Sequence, residues 1–158
     1  MKLKNYAINQ IIKRAITVSP KTTLLDARSM LLRHRISRLV VTENEKPVGV
    51  ITEKDLVKTI YQIDGKSIEN VRISEIVTKR LVTTTEDATL YDCARLMLNN
   101  KISSIIVLQK DGNLNGIITK TDLISVFLTQ AAEPLKISKI MTRPVITVKS
   151  ADSLLYVE

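Results

Sequence analysis

The sequence predicts an α/β (α+β) protein built from a duplicated β-α-β-β-α unit, and three observations carry that expectation. The chain repeats itself: Ile16-Thr17-Val18-Ser19-Pro20 and the residues through Ala27 lie over Val82 to Cys93 at an offset of 66, which Ile36-Ser37 over Ile102-Ser103 preserves. The stretch Gly49-Val50-Ile51-Thr52-Glu53-Lys54-Asp55-Leu56 returns as Gly116-Ile117-Ile118-Thr119-Lys120-Thr121-Asp122-Leu123, now 67 residues on. Its pattern is that of a strand running straight into a capped helix. Finally, Leu39-Val40-Val41 and Ile105-Ile106-Val107-Leu108 are continuous apolar runs, as expected of strands covered by helices.

Taken in order, Ala15–Val18 reads as a short extended segment ended by Ser19-Pro20. Thr23 opens a helix to about His34, with Leu24, Ala27 and Leu31 on one face and Thr23…Asp26 at capping spacing. Arg33, His34 and Arg35 gather at its C-terminal end, where cations suit the helix dipole. Arg38–Thr42 is a strand, Glu43–Lys46 a turn and Val48–Thr52 the next strand. Thr52 then caps a second helix to about Tyr61, and Gly65–Asn70 is a linker. The second unit follows the same order. The residue that lengthens the offset falls near Asp111-Gly112, in a hairpin turn that tolerates insertion.

A third copy begins near the end. Lys139-Ile140-Met141-Thr142-Arg143-Pro144-Val145-Ile146-Thr147-Val148 lies over Glu75–Thr84, and Leu154 matches Leu90 and Leu24. The expected units are therefore 9–66, 71–130 and the start of a third over 137–158, in a chain cut from a longer protein. The third copy lacks its hairpin and second helix and cannot close a core. It leaves Val145, Ile146, Val148, Leu154, Leu155 and Val157 to be covered by something else.

Composition narrows the function. At 158 residues, 44% hydrophobic and 25% charged, the chain is long enough for a real core. Aromatics are 3% with no Trp, which argues against stacked-base recognition. The net charge of +8 is uneven: residues 1–70 hold 13 Lys/Arg against 7 Asp/Glu. That excess suits an anionic partner, a phosphate-bearing small molecule or a nucleic acid. The single Cys93 lies in an apolar-periodic stretch and reads as a buried inert thiol. The first residues lack the apolar run of a signal peptide, and no run reaches membrane-spanning length, so a cytoplasmic protein that does not enter the membrane is expected. No Cys/His cluster, P-loop or Gly-rich dinucleotide fingerprint is present, and the one histidine, His34, is explained by the helix end. No catalytic site or metal site is read, and no enzyme activity is expected.

The repeated Thr-x-x-Asp turn is the candidate site. Capping alone accounts for the spacing, because Thr23…Asp26 and Thr89…Asp92 share it. Yet a strand entering a helix places backbone N–H groups and the helix dipole at the sheet edge, which suits an anion. A Thr hydroxyl suits a phosphate oxygen, and a carboxylate suits the vicinal diol of a ribose. The cluster Arg33, Arg35 and Arg38 lies near the strand that precedes the first turn.

On the Ile-Thr-Val-Ser-Pro opening, the Ile36-Ser37-Arg38-Leu39-Val40-Val41 strand and the Gly49–Leu56 turn, the repeat resembles the CBS domain, named from cystathionine β-synthase. The resemblance covers two complete repeats and the start of a third. It implies two βαββα units packed sheet to sheet with pseudo-twofold symmetry and two equivalent clefts between them. In relatives these clefts take adenosyl ligands such as AMP, ADP, ATP or S-adenosylmethionine. It also implies that the turn Thr contacts phosphate and the Asp holds the ribose hydroxyls. The first cleft would then use Thr52, Asp55, Arg38, Ser37, Val50 and Lys54, with a base pocket from Thr85, Leu90, Ile102 and Ser103. The second would use Thr119, Asp122, Ser103, Ile117 and Thr121 against Ser19, Leu24, Ile36 and Ser37. There Ser104 stands where the first repeat has Arg38, so the second cleft is expected to be poorer for a phosphate.

The resemblance thus implies a regulatory module that binds an adenine nucleotide and requires no cofactor. It would act as a homodimer or through an unknown protein partner or further CBS repeats. The competing readings are a basic nucleic-acid-binding protein and a purely structural assembly module in which every Thr/Asp pair is a cap.

Overall fold

Thr23 starts the first long helix by the mechanism its spacing implies. Its backbone is extended, and its Oγ1 accepts from the amide of Asp26 at 3.0 Å. The computed structural model describes residues 2–62, 69–78, 80–130, 136–151 and 153. Among these, the first repeat consists of β1 (Thr17–Val18), α1 (Leu24–His34), β2 (Arg38–Glu43), β3 (Lys46–Thr52) and α2 (Glu53–Gln62). After the single turn α3 (Ile73–Ile76) the second repeat follows as β4 (Thr83–Thr85), α4 (Leu90–Asn100), β5 (Ser104–Leu108), β6 (Leu114–Thr119) and α5 (Lys120–Gln130). The first extended segment is shorter than the sequence implies. Ile16 still belongs to the edge, since its carbonyl accepts from Val40 N at 3.0 Å.

Each repeat makes a three-stranded sheet, β1-β2-β3 and β4-β5-β6, with the first pair parallel and the second antiparallel. The β2–β3 turn is two residues, Asn44 and Glu45, both at positive φ. The β5–β6 turn runs from Gln109 to Asn113 and contains Gly112 at φ 83, so the added residue sits in the turn. Of the predicted linker, residues 65–68 lie outside the described residues.

The apolar runs have a different cover from that expected of helices alone. Leu39, Val41 and Ile51 face α1 and α2 in one core, and Ile105, Val107 and Ile118 do the same with α4 in another. The alternate residues Val40, Ile106 and Ile117 join a third cluster, shared by both repeats, with Val50, Leu81 and Leu114 at its margin. One face of each sheet is covered by helices and the other by the opposite sheet, so both faces must be apolar.

The lead-in to each repeat packs on the other one. Lys13 and Ile117 exchange backbone hydrogen bonds of 3.0 and 2.9 Å, and Thr78 and Val50 exchange two of 3.3 Å. Upstream, Leu90 N donates to Tyr6 O at 2.8 Å, just as Leu24 N donates to Val71 O at 2.9 Å. Ile8 and Ile73 are both fully buried as a result. The Gly49 and Gly116 positions answer to this crossing. A Cβ on Gly116 would lie 2.5 Å from the Lys13 carbonyl oxygen, and one on Gly49 would lie 2.2 Å from Val77 Cγ2.

Of the third copy, Ile137–Lys139 form a short 3-10 turn and Val145, Ile146 and Val148 are exposed. Its Leu154, Leu155 and Val157 lie outside the described residues.

Candidate functional site

Two clefts form where the β3–α2 and β6–α5 turns meet the opposite repeat. The first, about 410 Å³, is walled by Thr52, Lys54 and Asp55 of one repeat and by Arg80, Lys101, Ile102 and Ser103 of the other. The second, about 280 Å³, is walled by Thr119, Thr121 and Asp122 against Lys13, Arg14, Arg35, Ile36 and Ser37. Small-molecule sites run from roughly 300 to 1,000 Å³, so the first is of ligand size and the second lies just below that range.

Both Thr-x-x-Asp turns are caps. Asp55 Oδ2 accepts from Thr52 N at 2.8 Å and Thr52 Oγ1 at 2.7 Å, while Asp55 N donates back to Thr52 Oγ1 at 3.3 Å. Asp122 and Thr119 repeat this at 2.8, 2.6 and 3.4 Å. The next amides, Glu53 N and Lys120 N, donate to Ser37 O and Ser103 O. Most of the N–H groups that a helix start offers an anion are therefore already used, as is the Thr hydroxyl proton. A phosphate in either cleft has to be held by side chains instead.

Those side chains are present. Arg38, Lys54, Arg80, Lys101 and Lys120 all line the first cleft, against Asp55 as its one lining acid. Arg38 reaches across the repeats: Nη1 donates to Ser103 Oγ at 3.1 Å and Nη2 to Ser37 Oγ at 3.1 Å. Burial lowers its pKa from the ordinary value, with Glu53 and Asp122 acting in the other direction. A guanidinium keeps its proton, so this is a partly desolvated permanent cation whose interaction with an anion is strengthened. Val50, Leu81, Val82, Ile102 and Ile106 supply an apolar wall beside it.

The sequence-predicted residues divide. Thr52, Asp55, Arg38, Val50, Lys54, Ile102 and Ser103 come together in the first cleft. Thr119, Asp122, Ile117, Thr121, Ile36 and Ser37 come together in the second. Ser37 thus lines the second cleft, and it touches the first through Arg38. Thr85, Leu90, Ser19 and Leu24 do not line the clefts. Leu90 and Leu24 are the first residues of α4 and α1 and are buried beneath them, Thr85 bonds Asp87, and Ser19 accepts from Lys21 N. Ser103 lines the first cleft only. The expected shortage of cations in the second cleft is corrected by Arg38, which lines both, together with Lys13, Arg14 and Arg35. Sequence reasoning missed Arg80, Lys101, Lys120 and Lys13. The pairs Arg14/Arg80 and Arg35/Lys101 keep the 66-residue offset, which could have singled them out.

Asp122 is the buried acid of the second cleft, and Lys13 Nζ sits 2.6 Å from its Oδ1. Burial raises its pKa, but hydrogen bonds from Lys13 and Thr119 and the Lys13 charge outweigh this and hold it below the usual value. A depressed carboxylate contributes stability above its unfolded pKa of about 3.9 and loses it as pH falls through the folded value. Melting temperature is therefore expected to fall as pH drops below about 4, and less steeply in Asp122→Asn. Equal slopes in the two proteins would refute this. Cys93 is fully buried and its thiol is pushed up to about 11, chiefly by desolvation, as expected of an inert core thiol. Among the described residues no His, Cys, Asp or Glu group could hold a metal, and no helix is long and apolar enough to cross a membrane.

Comparison with known proteins agrees with this architecture. The solved CBS domain pair of MJ0100, in complex with 5'-methylthioadenosine and S-adenosyl-L-methionine, superposes with TM-score 0.70 at 27% identity, covering 78% of this chain and 97% of that one. CBSX2 in complex with AMP gives 0.66 at 25% identity, covering 78% and 97%. MJ1225 from Methanocaldococcus jannaschii, a putative archaeal homolog of the γ subunit of AMP-activated protein kinase, gives 0.70 at 28%, covering 78% and 48%. In sequence, the inosine-5'-monophosphate dehydrogenase of Chlorobaculum parvum is 33% identical over 113 residues, which is 72% of this chain and 23% of the dehydrogenase. Protein MJ1232 of Methanocaldococcus jannaschii is 29% identical over 115 residues, 73% of this chain and 37% of that protein. The chain therefore spans only a minor part of these two relatives. The family model for the CBS domain matches residues 8–62 and 73–129, so that with its two sheets face to face and a cleft at each turn, the chain belongs to the CBS domain family as a domain pair.

Proposed function

We propose that this CBS pair is a regulatory module whose first cleft binds an adenine nucleotide, AMP, ADP or ATP, and signals occupancy to a partner or to further repeats. The observation that carries the reading is the state of Asp55. Its Oδ2 is committed to Thr52, and among the described residues no group bonds its Oδ1, which remains an acceptor at the cleft wall. A ribose diol supplies two hydroxyl donors to such an oxygen. Arg38, Arg80 and Lys101 then surround the place of a phosphate, and the Val50, Leu81 and Ile102 wall suits a base. This excess of cations favours a nucleotide over S-adenosylmethionine, whose sulfonium and ammonium groups outnumber its carboxylate. Both kinds of ligand are named in neighbouring structures, AMP with CBSX2 and S-adenosyl-L-methionine with MJ0100.

A ligand that bridges the two repeats biases their packing only through differential affinity for the two arrangements. The exposed Val57, Tyr61, Ile124 and Leu128 on α2 and α5 support a homodimer or partner contact as the readout. Residues 137–158 fit the start of a third repeat. In a thermal-shift panel, millimolar AMP, ADP and ATP are expected to raise the melting temperature by several degrees and S-adenosylmethionine by less. No shift with any of the three nucleotides overturns the reading.

A further inference from the structure

The two clefts are lined by corresponding positions of the two repeats, and at one of the positions where the residues differ a side chain bonds the carboxylate. Lys13 exchanges backbone hydrogen bonds with Ile117 on β6, and Thr78 does the same with Val50 on β3. Val50 and Ile117 are equivalent residues of the repeated turn, so Lys13 and Thr78 are equivalent in strand pairing, whereas at the 66-residue offset Lys13 lies over Lys79, which is outside the described residues. In the second cleft the lysine Nζ is 2.6 Å from Asp122 Oδ1. The other oxygen, Oδ2, is bonded by Thr119 N and Oγ1. Both oxygens of Asp122 are therefore occupied, whereas Asp55, facing a threonine, keeps Oδ1 available among the described residues.

We infer that Lys13 is the specificity-determining residue of the pair: by holding Asp122 Oδ1 it denies the second cleft to a ribose diol, so that the protein binds one nucleotide and not two. This rests on the nucleotide-binding reading of the clefts. The physical contrast is between a charge pair and neutral donors. The Asp122 side chain is 4% exposed, so its charge is largely removed from water and needs a close cation. Two hydroxyls that displaced the ammonium would restore hydrogen bonds but not the direct ion pair at Oδ1. The lysine side chain is 69% exposed, its backbone is pinned to β6, and its ammonium reaches the cleft rim through the contact with Asp122. Asp55 is half-buried, and among the described residues no cation bonds its Oδ1. Arg38 faces both clefts and cannot be the source of the difference.

The test is calorimetric titration of the full chain with AMP. The wild type is expected to bind one equivalent, weakened about 10- to 100-fold in Asp55→Ala and retained in Asp122→Ala. Lys13→Thr, which copies the first cleft, is expected to gain a second equivalent that disappears in Lys13→Thr/Asp122→Ala. Lys13→Met, which keeps the aliphatic stem, should do the same if the threonine variant folds poorly. In the opposite direction, Thr78→Lys is expected to weaken binding to the first cleft at least about tenfold. Two equivalents in the wild type, or still one in both Lys13 variants, overturns the inference while leaving nucleotide binding intact. A wild type that binds no AMP beside a Lys13→Thr that binds one equivalent sustains the inference and refutes the reading of the first cleft. No binding by any of these proteins refutes both.

Discussion

Asp55→Ala is expected to weaken AMP binding by about 10- to 100-fold while costing only about 1 kcal/mol of stability. The two effects come from different oxygens of one carboxylate. Oδ2 closes the cap on Thr52, and losing a cap of this kind costs about 1 kcal/mol. Oδ1 is the acceptor proposed for the ribose, and hydrogen bonds to a charged group are worth about 1.5–3 kcal/mol each, or roughly tenfold or more in affinity. The chain supplies its own controls. Thr89–Asp92 is a cap with the same three hydrogen bonds and Thr23–Asp26 one with two of them, and neither Asp26 nor Asp92 lines either cleft. Asp92→Ala should therefore lose a similar amount of stability with affinity unchanged, and Asp26→Ala somewhat less, as read by titration and thermal melts on the same samples. If Asp55→Ala behaves like Asp92→Ala, the turn is a cap and nothing more.

Gly116→Ala is expected to destabilise the fold by about 1–3 kcal/mol, lowering the melting temperature by about 3–10 °C. The added Cβ would stand 2.5 Å from the Lys13 carbonyl oxygen, a backbone atom fixed by its own hydrogen bond from Ile117 N. The crossing strand segment must move as a whole. Gly49→Ala meets Val77 Cγ2 at 2.2 Å and the Thr78 carbonyl at 3.1 Å, so its worst contact is a side-chain tip. Its cost is expected to be smaller, and Val77→Ala in the same chain should recover part of it. Equal losses in the two glycine variants, with no recovery, would show that the crossing segments do not set the requirement for glycine.

These two experiments also mark what the sequence could and could not disclose. The repeat order, α1 from Thr23 and the Thr52 and Thr119 turns follow from local chemistry, periodicity and spacing, and the structure has them where those signals put them. The exchange of lead-in segments was less accessible. Ile8-Asn9-Gln10-Ile11-Ile12 lies over Ile73-Ser74-Glu75-Ile76-Val77, but at an offset of 65, one short of the register that aligns the rest. In the 66-residue register nothing links Tyr6 and Ile8 to the second repeat, on which they pack. At the 66-residue offset Lys13 lies over Lys79, and its equivalence to Thr78 shows only in backbone pairing.

Arg38 illustrates a different limit. Its place on β2 could be read from sequence, but a guanidinium is long enough to serve two clefts, and only the Ser103 contact reveals that it does. Leu24 and Leu90 failed as cleft residues for a related reason. A helix start adjoins the sheet edge in sequence, yet its first apolar residue turns inward to the core.

The central claim is that the first cleft holds an adenine nucleotide by ribose on Asp55 and phosphate among Arg38, Arg80 and Lys101. A crystal structure of the full chain grown with AMP tests it most directly. Density is expected in the first cleft, with the ribose hydroxyls within hydrogen-bond distance of Asp55 Oδ1 and the phosphate against Arg38. AMP seated in the second cleft alone, or outside both clefts, would contradict it.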